Sequence, residues 1–136
     1  MSFEAIAKRY AQALFEIGVE SASLARITDE VEAFAHAYLS SAELRVVLVN
    51  PLVPEVDRNA VLDQIAQRIG AGDITRNAMH LLVRRRRMQI LPTMSKELLR
   101  MSDEKQGVMR AHVTSAKPLT EDYARRLQTS IEQMMG

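Results

Sequence analysis

The sequence predicts a mainly α-helical protein: a six-helix N-terminal bundle followed by a short, incomplete α/β C-terminal segment of one strand and one helix. Up to about residue 105, apolar residues recur at the three- and four-residue spacing of a helix face. Aliphatic residues and Met are plentiful, whereas only 4% of residues are aromatic and Trp is absent, which is typical of helical bundles. The pattern changes at Gly107. We therefore expect a bundle at residues 1–106 and a strand–helix region at residues 107–136.

The amino-acid composition of the chain excludes several classes of function. A chain of 136 residues can form one domain with a modest core. Lys and Arg total 18 against 17 Asp and Glu, so the net charge creates no overall positive potential that would attract polyanions. The absence of Cys excludes disulfides, thiolate catalysis and sulfur-ligated metals. No apolar run reaches the length of a membrane span, and the N-terminus resembles neither a signal nor a transit peptide, so we expect a soluble protein.

The first three helices follow from apolar periodicity and polar caps. The first is predicted at residues 3–18, with its apolar stripe at Ile6, Tyr10, Ala13, Leu14 and Ile17 and with Ala7 and Ala11 beside it. The second runs from about residue 24 to 38. Its acids Asp29, Glu30 and Glu32 point in different directions and have no His partner, which favours a solvated face over a metal site. A Ser-x-x-Glu capping box from Ser40 to Glu43 starts a third helix that ends at about Val49.

Three further helices are predicted before the change of pattern. The fourth has Pro54 in its first turn, Val56 on its apolar face and Gly70 just past its end. Asp73 is expected to cap the fifth. That helix is apolar over so much of its circumference that we expect it near the middle of the bundle, with its apolar residues at Ile74, Ala78, Met79, Leu81, Leu82 and Val83. The sixth is entered through Pro92 and has its apolar face at Leu91, Met94, Leu98 and Met101.

Four consecutive arginines, Arg84 to Arg87, close the fifth helix. Clustered guanidinium groups can neutralise phosphates. If the helix continues through them, successive residues turn by about 100° and four of them cannot form one stripe along a nucleic-acid backbone. The sequence favours a cationic helix end that pairs with nearby carboxylates and adds little to the affinity of any partner.

The C-terminal region is predicted to contain a strand at residues 108–115 and a helix capped by Thr120. This strand has no identifiable partner in the sequence. An unpaired strand leaves its backbone hydrogen-bonding groups unsatisfied. Unless another chain supplies a strand to pair with it, we expect the amide hydrogens of this region to exchange with solvent faster than those of the bundle.

No pattern indicates catalysis. His36, His80 and His112 are isolated and lack the spacing of a zinc motif, and His80 is interpreted as a residue at the core edge. The five glycines form no phosphate-binding loop, and no serine stands in a nucleophile motif. We expect a protein with no catalytic residues, metal or cofactor that works through its surfaces.

Three segments carry a family resemblance. They are AKRYAQALFEIG at residues 7–18, the fifth helix running into Leu91-Pro92, and VTSAKPLTED at residues 113–122. Together and in this order they resemble the delta subunit of bacterial ATP synthase, the counterpart of the mitochondrial oligomycin-sensitivity-conferring protein. The resemblance implies a non-catalytic stator subunit, peripheral on the cytoplasmic face of the cell membrane as part of the complex.

The resemblance also implies two partners and no nucleic acid. In that family the bundle grips the N-terminal helix of an alpha subunit between its first and fifth helices, and the C-terminal region joins the b-subunit stalk. Family members usually continue with further strands beyond Met135-Gly136, so the b-subunit attachment depends on what completes the sheet. The groove is expected at Ala7, Tyr10, Ala13, Leu14, Asn77, Ala78 and Leu81, with packed core as the alternative for these positions. The alternative function is a helical RNA-binding module that uses Arg84 to Arg87.

Overall fold

The computed structural model describes residues 2–107, which form six α-helices and one short 3₁₀ turn. The helices are α1 (Phe3–Glu20), α2 (Leu24–Ser40), α3 (Ala42–Val49), α4 (Glu55–Ile69), α5 (Asp73–Arg84) and α6 (Leu91–Gln106), with the 3₁₀ turn at Met88–Ile90 between α5 and α6. The predicted mainly α class is confirmed. The strand predicted at residues 108–115 and the helix predicted after Thr120 lie outside the described residues, and the domain division at residue 106 stays a prediction.

Polar caps and glycines fix the helix ends. The Ser2 hydroxyl accepts from the Ala5 amide at 3.2 Å and begins α1. Ser41 does the same for α3 by accepting from the Leu44 amide at 3.1 Å. Gly70 ends α4 in the left-handed region, at a φ of 77°, where a side chain would be strained. The helix boundaries thus follow from local chemistry.

Three of the predicted helix starts are wrong in detail. Ser40 belongs to the end of α2 and donates from its hydroxyl to the His36 carbonyl at 2.7 Å, so the capping box from Ser40 to Glu43 does not form. Asp73 is the first helical residue after Gly72 and makes no capping hydrogen bond. Pro54 precedes α4 as its cap and does not lie within its first turn. In the first and third cases the sequence pattern located the turn but missed its register by one residue.

The predicted apolar face of α4 is also partly wrong. Val56 is 72% exposed, whereas the buried residues of this helix are Arg58, Leu62 and Ala66. Val56 lies in the first turn, ahead of the point where α4 meets its neighbours. Apolar spacing alone does not indicate where along a helix the packing begins.

Helices α2 and α6 occupy the middle of the bundle. α6 packs most extensively against α1 and α2, and α2 contacts every other helix. The prediction that α5 lies in the middle is wrong, because α5 packs mainly against α4. None of the helices in residues 2–107 is both long and apolar enough to cross a membrane.

The core is aliphatic and closely packed. Its largest fully buried apolar side chains are Phe34, Leu62, Met79, Leu82, Met88, Leu91, Met94, Leu98, Val31 and Val83. At Gly18 a Cβ atom would lie 2.9 Å from the Leu24 Cα atom, so only glycine lets α1 turn into α2 at this distance. Small residues therefore set the spacing of α1 and α2.

We expect a fragment of residues 1–107 to unfold in one cooperative transition, with a melting temperature close to that of the full chain. The reason is that the buried core residues come from all six helices, with Leu14 in α1 and Leu48 in α3, and bury one another within this range. Circular dichroism melts of the fragment and the full chain measure this. A fragment that melts broadly, or far below the full chain, would contradict the proposed boundary.

Candidate functional site: the groove between α1 and α5

Helix α1 has more apolar surface than its core contacts use. The residues that it buries are Ala7, Ala11, Leu14 and Gly18. Ala13 and Ile17 belong to the predicted apolar stripe but are exposed, Ile17 to 42%. The stripe is thus wider than the core that it covers, and part of it faces outward.

Helix α5 also has more apolar surface than its core contacts use. Each of its partly open apolar residues precedes a buried residue by one position. Its buried residues are Thr75, Met79, Leu82 and Val83. Ile74, Ala78 and Leu81, which were predicted to be buried, are only partly so. The broad apolar circumference of this helix reflects one buried side and one open side.

These two open faces meet in one groove, which we call the α1–α5 groove. A cavity of about 310 Å³ is lined by Tyr10, Ala13, Leu14, Ile17, Ile74, Asn77, Ala78, Leu81 and Met94. A second cavity of about 350 Å³ shares Tyr10, Ala13 and Leu81 with the first and extends to Ile6, Arg9, Arg85 and Arg87. Ile17 thus lies near Ile74 at one end and Ile6 near Arg85 at the other, so the two walls run antiparallel.

The structure brings together the residues predicted for this site, with one exception. Tyr10, Ala13, Leu14, Asn77, Ala78 and Leu81 all line the groove. Ala7 does not, because it is 0% exposed and packs in the core. Sequence reasoning missed Ile17 and Ile74 as groove residues, although both were in the predicted stripes, and it missed Met94, which α6 contributes to the lining.

A buried carboxylate anchors the start of the α5 wall. Glu30 of α2 is only 7% exposed. It accepts hydrogen bonds from the Thr75 hydroxyl at 2.7 Å, from the Gly72 amide at 3.1 Å and from Arg26 Nε at 3.0 Å. The interpretation of Glu30 as a solvated acid is therefore wrong. A side chain of α2 supplies the N-terminal cap that α5 lacks in its own sequence.

The arginine run does not continue the helix. Arg84 is the last residue of α5, and Arg86 takes a left-handed conformation with a φ of 55°. Arg87 turns back over α1, with its guanidinium carbon 5.8 Å from the centre of the Tyr10 ring. None of the four forms an ion pair with a carboxylate among residues 2–107, so the predicted pairing is not found in this part of the chain. The run ends the helix and supplies Arg85 and Arg87 to the groove.

The histidines that lie in the described residues form no metal site. His80 Nε2 lies 2.7 Å from Asp63 Oδ1 and links α5 to α4, in agreement with a residue at the core edge. Within residues 2–107, no cluster of three or more His, Asp or Glu side chains could hold a metal ion. His112 lies outside this range. The groove is an apolar surface with a basic end, which suits it to binding.

Comparison with known proteins gives one consistent family. The family model described as "ATP synthase delta (OSCP) subunit" matches residues 6–136. The chain is 35% identical to ATP synthase subunit delta of Myxococcus xanthus, over 95% of this chain and 72% of the relative. It is 31% identical to the subunit of the same name from Desulfotalea psychrophila, over 96% and 72% of the two chains. For the subunit from a Jannaschia species the identity is 32%, over 96% and 70%.

Proposed function

The chain belongs to the ATP synthase delta (OSCP) subunit family, and from this premise we propose that it is a stator connector that binds the N-terminal helix of an alpha subunit in the α1–α5 groove. The observation that carries the proposal is that two helices leave adjoining apolar faces open along one line. An amphipathic helix needs such a groove to bury its own apolar face. The protein itself is non-catalytic.

The connection would be mechanical. Small side chains at Ala13 and Ala78 let a partner helix approach closely, while Ile17, Ile74 and Leu81 offer apolar surface to cover. Removal of apolar surface from water contributes about 25 cal/mol per Å² and does not depend on salt as phosphate contacts do. A joint of this kind releases its partner slowly. Such slow release suits a subunit that resists the torque of a rotor.

The other end of the connection would be the b-subunit stalk, which we place in the region that follows α6. The protein would then be peripheral on the cytoplasmic face of the membrane, attached through the complex. The path of the arginine run disfavours the RNA-binding alternative, because Arg87 folds over Tyr10 and Arg85 lines an apolar groove. A salt titration distinguishes the two, since RNA binding through arginines would weaken steeply with salt.

We expect Ala13→Asp to weaken binding of a peptide with the sequence of the alpha subunit's N-terminal helix by about 10- to 100-fold, because the complex would cover a carboxylate with apolar surface. Ala13 is exposed in the free protein, so the fold should persist. Isothermal titration calorimetry measures the affinity, and a circular dichroism melt checks the fold.

Ala13→Asn is the matched control, since asparagine has nearly the same size as aspartate and carries no charge. It should weaken binding less than the aspartate does. An Ala13→Asp protein that binds the peptide as tightly as the parent would show that the partner lies elsewhere on the bundle.

A further inference from the structure

The two ends of the α1–α5 groove differ in charge. At one end the lining contains Arg9, Arg85 and Arg87 beside the apolar Ile6 and Leu81. Arg85 is exposed, and Arg87 is half-buried. The guanidinium groups of Arg85 and Arg87, at one cavity of about 350 Å³, make this end basic. Among residues 2–107, no carboxylate contributes to the lining of that cavity.

Tyr10 keeps one of these guanidinium groups at the groove. The carbon atom at the centre of the Arg87 guanidinium lies 5.8 Å from the centre of the Tyr10 ring, a distance at which cation and ring attract each other. Arg87 Nη1 also donates to the Tyr10 hydroxyl at 3.5 Å. These contacts hold Arg87 against α1, so its charge lies at the end of the groove instead of moving freely in solvent.

The opposite end has no charged residue in its lining. Because the walls are antiparallel, the end of α1 and the start of α5 lie together, as the pairing of Ile17 with Ile74 requires. Asp73 lines a separate cavity with Arg26 of α2, and neither Asp73 nor Glu20, the last residue of α1, lines the groove. Both are exposed. The groove is therefore apolar along its length and basic at one end only.

We propose that this charge difference selects the direction in which the partner helix lies, with its acidic end against Arg85 and Arg87 and its other end against Ile17 and Ile74. The proposal rests on the function proposed above and specifies the chemistry of the partner. Apolar contacts supply most of the affinity and fit either direction, whereas exposed charges at the rim penalise the wrong direction and speed the right encounter.

Two synthetic amphipathic peptides test this with the full chain. They share one apolar stripe with spacing i, i+3, i+4, i+7. The first has glutamates at its N-terminal end and lysines at its C-terminal end, and the second has these charges exchanged. Each carries benzoylphenylalanine near its N-terminal end, and mass spectrometry maps the crosslinks. We expect the first to crosslink near Ile6 and Leu81, and the second near Ile17 and Ile74.

The second part of the experiment reverses a charge in the protein. At low salt, Arg85→Glu should weaken binding of the first peptide about 3- to 10-fold, since a repulsive contact replaces an attractive one, and the loss should shrink as salt rises. Arg84→Glu is the matched control. It makes the same change of charge one residue earlier, at an exposed position that lines neither cavity, and should change binding less than about twofold.

The outcomes separate this inference from the proposed function. Crosslinks that follow the charges, and are lost or moved by Arg85→Glu, would support it. If both peptides bind, Ala13→Asp weakens both, and the crosslinks do not depend on charge, the groove is a docking site without selected direction and the inference is wrong. If Ala13→Asp affects the binding of neither peptide, the proposed groove fails, and this inference fails with it.

Discussion

Phe34→Ala should lower the free energy of unfolding by about 3–5 kcal/mol, the usual cost of truncating a buried aromatic side chain. Phe34 is 2% exposed and belongs to α2, which contacts all the other helices. The cavity left by the ring would therefore reach packing that several helices share. Urea denaturation followed by circular dichroism measures the change, with the slope checked for constancy.

Phe3→Ala is the matched control, because the same side chain at residue 3 is 48% exposed. We expect this variant to lose less than about 1 kcal/mol. Equal losses in the two variants would mean that burial of α2 is not what stabilises the bundle.

Glu30→Ala should lower the free energy of unfolding by about 2–4 kcal/mol, because buried donors to a carboxylate lose their acceptor. The Thr75 hydroxyl and the Gly72 amide both point at Glu30, and Thr75 is 0% exposed. With the cap removed, the first turn of α5 should also fray. Because Ile74 and Asn77 line the groove from that turn, binding of the alpha-subunit peptide should weaken as well.

Two controls separate the cap from the charge. Glu30→Gln keeps an oxygen that can accept from Thr75 or Gly72, so it should lose less stability than alanine does. Glu32→Ala removes an exposed acid of the same helix and should change stability by less than about 0.5 kcal/mol. If Glu30→Ala proves as mild as Glu32→Ala, the hydrogen bonds to α5 do not hold the wall in place.

Periodicity predicted where the helices lie, because burying one face is a local requirement that repeats along the chain. It could not predict what covers each face. Ala13 and Ile17 look like core residues in the sequence, yet no other helix of the bundle covers them. The burial of Glu30 depends on Gly72 and Thr75, which follow it by 42 and 45 residues and meet it only in the folded chain. The run of four arginines looked continuous, but its path depends on the left-handed turn at Arg86.

The separate anchoring of the two groove walls determines how force would travel through this protein. α1 packs extensively on α6, whereas α5 packs mainly on α4 and makes a smaller contact with α2 that includes the cap at its first turn. A force applied to a helix bound between them would be transmitted along two paths, one through α1 and one through α5. The path through α1 crosses a single interface and then runs along the α6 backbone, which continues covalently into residue 107. The path through α5 runs mainly through α4, with a smaller direct contact to α2 that includes the Glu30 cap. We therefore expect α1 to carry most of a sustained load, and the α5 side to yield first when the joint is overstretched.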